Sequence, residues 1–198
     1  MSQNLRDFSV QIPLSQELFE FQNQVKEKLY DFNHARPSDL QGRKTILAQL
    51  FGHYGGVHVV PPFYCDMGIN IHFKAGGFIN TGVKILDLAR VTIGDHVQIG
   101  PDVIITTACH PLDLAERVRP IATANPITIG DSVWIGAGAI ILSGVTIGDH
   151  SVIGAGSVVT KDIPADSVAV GNPCRVVKTI EHGEMPTEAE LDEMWQGL

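Results

Sequence analysis

Residues 127–156, ITIGDSVWIGAGAIILSGVTIGDHSVIGAG, decide the fold. A large aliphatic residue returns every sixth position, at Ile129, Ile135, Ile141, Ile147, Ile153 and Val159, in a phase already set at Ile93, Ile99 and Ile105. Glycine follows directly at Gly94, Gly100, Gly130, Gly136, Gly148 and Gly154. Four places after the large residue stands a smaller one, at Val97, Val103, Val133, Ala139, Val145, Ser151 and Ser157. A period of six is neither helical nor a plain two-residue alternation. It suits a short strand and a corner, with one large and one small side chain sharing the interior. Glycine serves the corner, where the backbone needs freedom or close approach.

A longer repeat adds the geometry. VTIGDH at 91, ITIGDS at 127 and VTIGDH at 145 are 36 and 18 residues apart, two and one sets of three hexapeptides. Three hexapeptides per coil predict a triangular prism of parallel strands, mainly β, whose coils are stable only when stacked. Upstream the phase lands on Ile69, Ala75, Thr81 and Asp87, so irregular early coils are expected there.

Before the prism, Leu18, Phe21, Val25, Leu29 and Phe32 recur at helical spacing over 15–34. Ser38 with Gln41 reads as a capping box for a second helix that carries Leu40, Leu47, Leu50 and Phe51 and runs out near Gly55-Gly56. Thr187 and Glu190 have the same spacing before Leu191, Met194 and Trp195, which predicts a short terminal helix. The expected organisation is a helical segment at 1–56, a β-helix at 57–178 that expels a loop at 110–126, and a tail with a helix at 179–198.

Bulk composition narrows the function. The chain has 198 residues, 44% hydrophobic and 18% charged, enough to bury one sizeable core. Its formal charge of −8, with no basic stripe interleaved with aromatics, argues against nucleic acid, while a local cationic pocket for a small anion stays open. No signal segment and no bilayer-length apolar run is present, so a cytoplasmic protein without a membrane partner is expected. Cys65, Cys109 and Cys174 lack the spacing of a disulfide framework or a zinc ribbon.

The beat breaks once inside the regular region, at TTACHPLDLAERVRPIATANP, residues 106–126, before ITIGD resumes in phase. Expelled loops carry function. His110 stands where the strand pattern ends, positioned to be a general base that takes a proton from a hydroxyl near neutral pH. A polar corner residue before a proline fits the same position, and periodicity does not separate the two readings. His96 and His150 share one place in the IGDH repeat, while His34, His53, His58, His72 and His182 fall near helices, turns or the tail. All seven read as solvated histidines, and no metal site is expected from their spacing. Cys109 adjoins His110, but neighbouring residues on a strand point to opposite faces, so a thiol nucleophile is not expected there.

Taken in order, an Asn before the regular coils (Asn80), TACHP followed by a loop, SVWIGAGA, GAGSVVTKDIP and GNPCRVVK make the chain resemble the maltose and galactoside O-acetyltransferase family of hexapeptide acyltransferases. The match spans about residues 29–178. The resemblance implies a left-handed parallel β-helix assembled as a homotrimer, with acetyl-CoA between neighbouring prisms and no metal requirement. It implies that His110 is the base in a direct transfer to a sugar hydroxyl, that Asn80 orients the acceptor or supports the oxyanion, and that Trp134 walls the site. For coenzyme A it implies Ala137 and Ala155 along the pantetheine arm, and Thr160, Lys161, Arg175 and Lys178 near the nucleotide phosphates. Without it, Thr160, Lys161 and Arg175 are ordinary turn and tail residues.

The sequence departs from the family on the acceptor side. Pro13 and Leu88 stand at two positions where the family has acidic residues. Asp87 and Glu116 are then fallback polar contacts to the acceptor, or solvated surface charges. Two alternatives follow: a same-fold acetyltransferase for a non-sugar or xenobiotic hydroxyl compound, and a non-catalytic trimeric scaffold. A metal-dependent hydratase resembling the γ-carbonic anhydrases is a third, disfavoured by histidine spacing.

Overall fold

A computed structural model describes residues 10–184 and 186. The hexapeptides close into a β-helix of triangular section with three parallel faces. A four-stranded face holds Ile71–Phe73, Val91–Ile93, Ile127–Ile129 and Thr146–Ile147. A five-stranded face holds Tyr64–Cys65, Lys84–Leu86, Ile104–Thr106, Ile140–Ile141 and Val158–Val159. A seven-stranded face holds His58–Val59, Phe78–Ile79, Gln98–Ile99, Trp134–Ile135, Val152–Ile153, Ser167–Val170 and Arg175–Thr179, the last antiparallel. The chain passes from the seven-stranded to the five-stranded face over a first edge, then over a second edge to the four-stranded face, and returns over a third.

The expected interior positions are filled as the repeat requires. Ile93, Ile99, Ile105, Ile129, Ile135, Ile141, Ile147, Ile153 and Val159 are all buried, one large residue from each face at each level. The smaller partners Val97, Val103, Val133, Ala139, Val145, Ser151 and Ser157 are buried beside them. Glycine after the large residue lets the next coil approach: a Cβ on Gly100 would lie 2.7 Å from the Ala137 amide nitrogen, and one on Gly136 2.6 Å from that of Ala155.

The early coils are not irregular; they keep a different period. Strand partners there are twenty residues apart (His58 on Phe78, Tyr64 on Lys84, Ile71 on Val91), against eighteen in the later coils (Thr128 on Thr146, Trp134 on Val152). The two extra residues sit at the second edge and shift the phase, so the interior isoleucines are Ile71, Ile79 and Ile85, while Ile69 is 49% exposed.

Two helices precede the prism. Helix α1, Gln16–His34, is capped by the Ser15 hydroxyl, which accepts from Leu18 N at 3.2 Å, and lays Val25, Leu29 and Phe32 on the core. Asn33 docks it by donating to Phe63 O (3.0 Å) and accepting from Phe63 N (2.9 Å). Helix α2, Leu40–Leu50, is capped by Asp39 accepting from Gly42 N at 2.9 Å, rather than by Ser38, because Asp39 directly precedes the first helical residue. It ends before the glycines, where Phe51 turns extended into the core and meets Phe63 edge-on. Leu40, expected on the apolar face, is exposed.

Two strands absent from the sequence reading flank the expelled loop. Val10–Pro13 pairs antiparallel with Ile121–Ala124, which pairs with Ala108–Cys109. The terminal helix expected near Thr187–Trp195 falls outside the described residues. Among those described, no helix is long and apolar enough to cross a membrane.

Candidate functional site

The second edge is built by one repeating position. Cys65, Ile85, Ile105, Ile141 and Val159 are in register, and two residues after each come Met67, Asp87, Thr107, Ser143 and Lys161. The three in the middle are buried polar groups whose bonds run between coils. The Thr107 hydroxyl donates to Leu86 O (2.8 Å) and accepts from Ala89 N (3.0 Å). The Ser143 hydroxyl donates to Thr107 O (2.7 Å) and accepts from Asn125 N (3.1 Å). Both ends of the expelled loop are thereby stapled to one point of the edge.

Asp87 corrects the sequence reading. It is neither an acceptor contact nor a solvated charge: its side chain is fully buried, accepting from Asp66 N (3.1 Å), Met67 N (2.9 Å) and Asn70 N (3.3 Å) across the widened corner of the preceding coil. Burial pushes its pKa up to about 6, against the pull of the backbone donors. Its physical task is to satisfy amides that a wider turn would otherwise leave unpaired.

From the staple the loop runs through Ala108–Cys109, turns, forms the short helix α3 at Leu114–Arg117 and returns as Ile121–Ala124. His110 follows Cys109, the last paired residue, and is exposed; among the described residues it has no hydrogen-bond partner. Its backbone is therefore anchored by the sheet while its ring reaches outward. Pro13 lies opposite Ile121 in the adjoining strand, and Leu88 follows buried Asp87 on the same edge. Both positions that depart from the family thus belong to His110's side of the prism. Glu116 is half-buried in α3 and paired with Arg119 at 3.3 Å. Leu112, Leu114 and Val118 stand 64–74% exposed on the same loop.

The first edge carries a second group. Asn80 follows Ile79 there, its Oδ1 accepting from Thr81 N at 2.8 Å. Ala137 and Ala155 follow Ile135 and Ile153 on the same edge in later coils, both exposed, each followed by a glycine with φ of 66° or 67° that turns the chain. Trp134 projects from the adjoining seven-stranded face between Gln98 and Val152 and is 55% exposed. Thr160 and Lys161 return to the second edge. Arg175 and Lys178 lie on the antiparallel strand at the end of the seven-stranded face, both exposed. Within one chain, then, the fold does not bring His110 and Asn80 together: they occupy the two edges that bound the five-stranded face.

Burial pushes the Cys65 thiol well above its ordinary pKa, with Asp87 adding to the rise, and burial also raises Cys174. Neither is a poised nucleophile.

A triangular β-helix of stacked hexapeptide coils is the architecture of hexapeptide-repeat transferases. The family described as bacterial transferase hexapeptide (six repeats) matches residues 126–161, and the maltose acetyltransferase hexapeptide capping motif matches residues 12–55. The galactoside O-acetyltransferase of Escherichia coli (strain K12) is 41% identical over 156 residues, covering 78% of this chain and 77% of the relative. The crystal structure of a maltose O-acetyltransferase from Clostridium difficile 630 superposes with a TM-score of 0.82 at 46% identity, covering 85% of this chain and 90% of the other. A galactoside acetyltransferase in complex with coenzyme A gives 0.76 at 41% identity, covering 84% of each chain. The chain belongs to the maltose and galactoside O-acetyltransferase family.

Proposed function

We propose that the protein is a cytoplasmic homotrimeric acetyltransferase that moves an acetyl group from acetyl-CoA to a hydroxyl of a sugar or sugar-like acceptor, with residues 57–178 as the transferring unit and 1–56 as its cap. His110 takes the proton of the acceptor hydroxyl as that oxygen attacks the thioester carbonyl; the carbon–sulfur bond then breaks, and the proton passes to the departing thiolate of coenzyme A. No acyl-enzyme forms. Asn80 orients the acceptor or stabilises the developing oxyanion. Trp134 walls the groove, Ala137 and Ala155 leave backbone accessible to the pantetheine arm, and Thr160, Lys161, Arg175 and Lys178 neutralise the nucleotide phosphates.

The observation that carries this reading is the division of the candidate residues between two edges of one face. His110 and Lys161 line the second edge, Asn80, Ala137 and Ala155 the first, and the five-stranded face lies between. Three prisms that turn this face toward a common axis bring the first edge of each chain to the second edge of its neighbour, which completes the site three times. Most outward side chains of the face suit that place, Tyr64, Leu86, Ile104, Ile140 and Val158, with Lys84 and Thr106 the exceptions, whereas the four-stranded face presents His72, Thr92, Thr128 and Thr146. The exposed apolar side chains of the loop likewise call for a neighbouring surface.

On the acceptor side, Pro13 and Leu88 remove carboxylates that would accept hydrogen bonds from sugar hydroxyls, and favour a less polar hydroxyl compound as the second reading. Thiol release from acetyl-CoA, measured across sugars, glycosides and non-sugar alcohols with His110→Ala alongside, tests the chemistry. Release is expected with one acceptor class and should fall by about 10²–10⁴-fold in the variant. Full turnover in His110→Ala would remove the base assignment, and absence of coenzyme A binding would leave the scaffold alternative. Ile140→Glu should dissociate the trimer in sedimentation while leaving the circular dichroism of the coils intact.

A further inference from the structure

One cluster of ligating side chains lies away from both of these edges. His150 and Asp166 occupy the third edge in successive coils, both in the left-handed backbone region (φ 59° and 54°). That conformation stacks them, and the His150 Nδ1 to Asp166 Oδ1 distance is 3.0 Å. A third ligand arrives from a different part of the chain. After the strand Arg175–Thr179, Ile180 N donates to Asp166 O at 2.7 Å, and His182 brings its Nε2 to 2.7 Å from the same Asp166 Oδ1. One ligand atom from each of the three residues lies within 4.8 Å of the other two, and the imidazoles meet edge to face with centroids 5.2 Å apart.

We propose that His150, Asp166 and His182 form a binding site for a divalent transition-metal cation of the zinc type, which clasps the chain after Arg175–Thr179 to the last coils of the prism. Two imidazole nitrogens and a carboxylate oxygen are a borderline-soft donor set that suits zinc, cobalt or nickel better than magnesium or calcium. Zinc-to-ligand bonds of about 2.0–2.2 Å in a tetrahedron put neighbouring ligand atoms roughly 3.3 Å apart. The nitrogen–oxygen separations here need to open by only a few tenths of an ångström, which exposed side chains supply by small rotations. The fourth position faces solvent and takes water.

His96 isolates what is particular to this place. It holds the same repeat position as His150, with the same left-handed backbone (φ 55°), yet among the described residues it faces no such pair; the repeat supplies a histidine, and the returning segment completes the site.

The test uses untagged full-length protein stripped with a chelator, then titrated with Co2+ while its visible absorption is followed, with Zn2+ as competitor. The expected result is one equivalent per chain, displaced by Zn2+, with affinity at least ~10-fold lower in His182→Gln and in His150→Gln and unchanged in His96→Gln. Amide exchange over residues 176–184 should slow when Zn2+ is added to the wild type and not to His182→Gln. No saturable binding, wild-type affinity in His182→Gln, or an equal loss in His96→Gln would overturn the site. Since His182 lies beyond the last strand, its replacement does not put the fold of the prism at risk.

Discussion

The coils before the expelled loop and the coils after it solve the same packing problem with different lengths of chain. After the loop each turn takes eighteen residues and the second edge is a tight corner, from which the Ser143 hydroxyl reaches back to the base of the loop. Before it each turn takes twenty, and the two wider corners are closed by the buried carboxylate of Asp87 and by the Thr107 hydroxyl. All three faces stay in register in both halves, so the extra residues are absorbed at one edge. The comparison teaches that the prism tolerates variation at its corners while holding its interior fixed, and that the corner altered here is the one from which the His110 loop departs. At the first of these corners the carboxylate accepts from three backbone donors, where the Thr107 hydroxyl at the second accepts from one amide and donates to a carbonyl; the desolvation of the carboxylate is the cost.

The interior should be the least forgiving. Ile147→Asp puts an unpaired charge into a fully buried position of the eighteen-residue half and should destabilise by more than about 4 kcal/mol; wild-type melting in that variant would break the register. Next comes the Asp87 corner of the twenty-residue half. Because the folded pKa of Asp87, about 6, lies above its unfolded value of about 3.9, the native state binds more protons between those limits. The stabilisation from this group is complete below about pH 4 and is lost as the pH rises through about 6, roughly 3 kcal/mol in all. Asp87→Asn should therefore gain on the wild type by that order in urea unfolding between pH 4 and pH 7, and a constant difference would deny the burial effect. Ser143→Ala, the matching change in the other half, should cost about 1–2 kcal/mol with no such pH dependence. The smallest effect is expected at Ile69→Asp, within about 0.5 kcal/mol, because the two-residue shift leaves this position on the surface.

That last residue marks the limit of what periodicity could read. From Ile93 onward the six-residue beat led straight to the observed interior, because each isoleucine lies at the same place in an identical coil. Carried upstream the beat lands on Ile69, Ala75, Thr81 and Asp87 and loses the interior isoleucines, since a beat of six contains no sign of a corner two residues longer. A search for a twenty-residue repeat, from Val59 to Ile79 to Ile99, would have recovered the phase. Loop residues were legible in part: His110 stood out where the pattern stopped, whereas the pairing of Val10–Pro13 with Ile121–Ala124 is antiparallel and long-range, with nothing local to announce it. The approach of His182 to Asp166 was hidden for the same reason, as it depends on where an antiparallel strand returns.

The loop has one further property. Across it, strand partners are thirty-six residues apart, twice the spacing of the coils that follow, so the expelled stretch is one coil's worth of chain. Thr107 and Asn125 meet at its base through the Ser143 hydroxyl, as the ends of a cassette meet in its slot. A chain spliced there with a longer, shorter or unrelated insert would restack without any strand changing face. The stacking of the coils and the content of the loop are thus separately variable in this molecule, because they meet at a single junction.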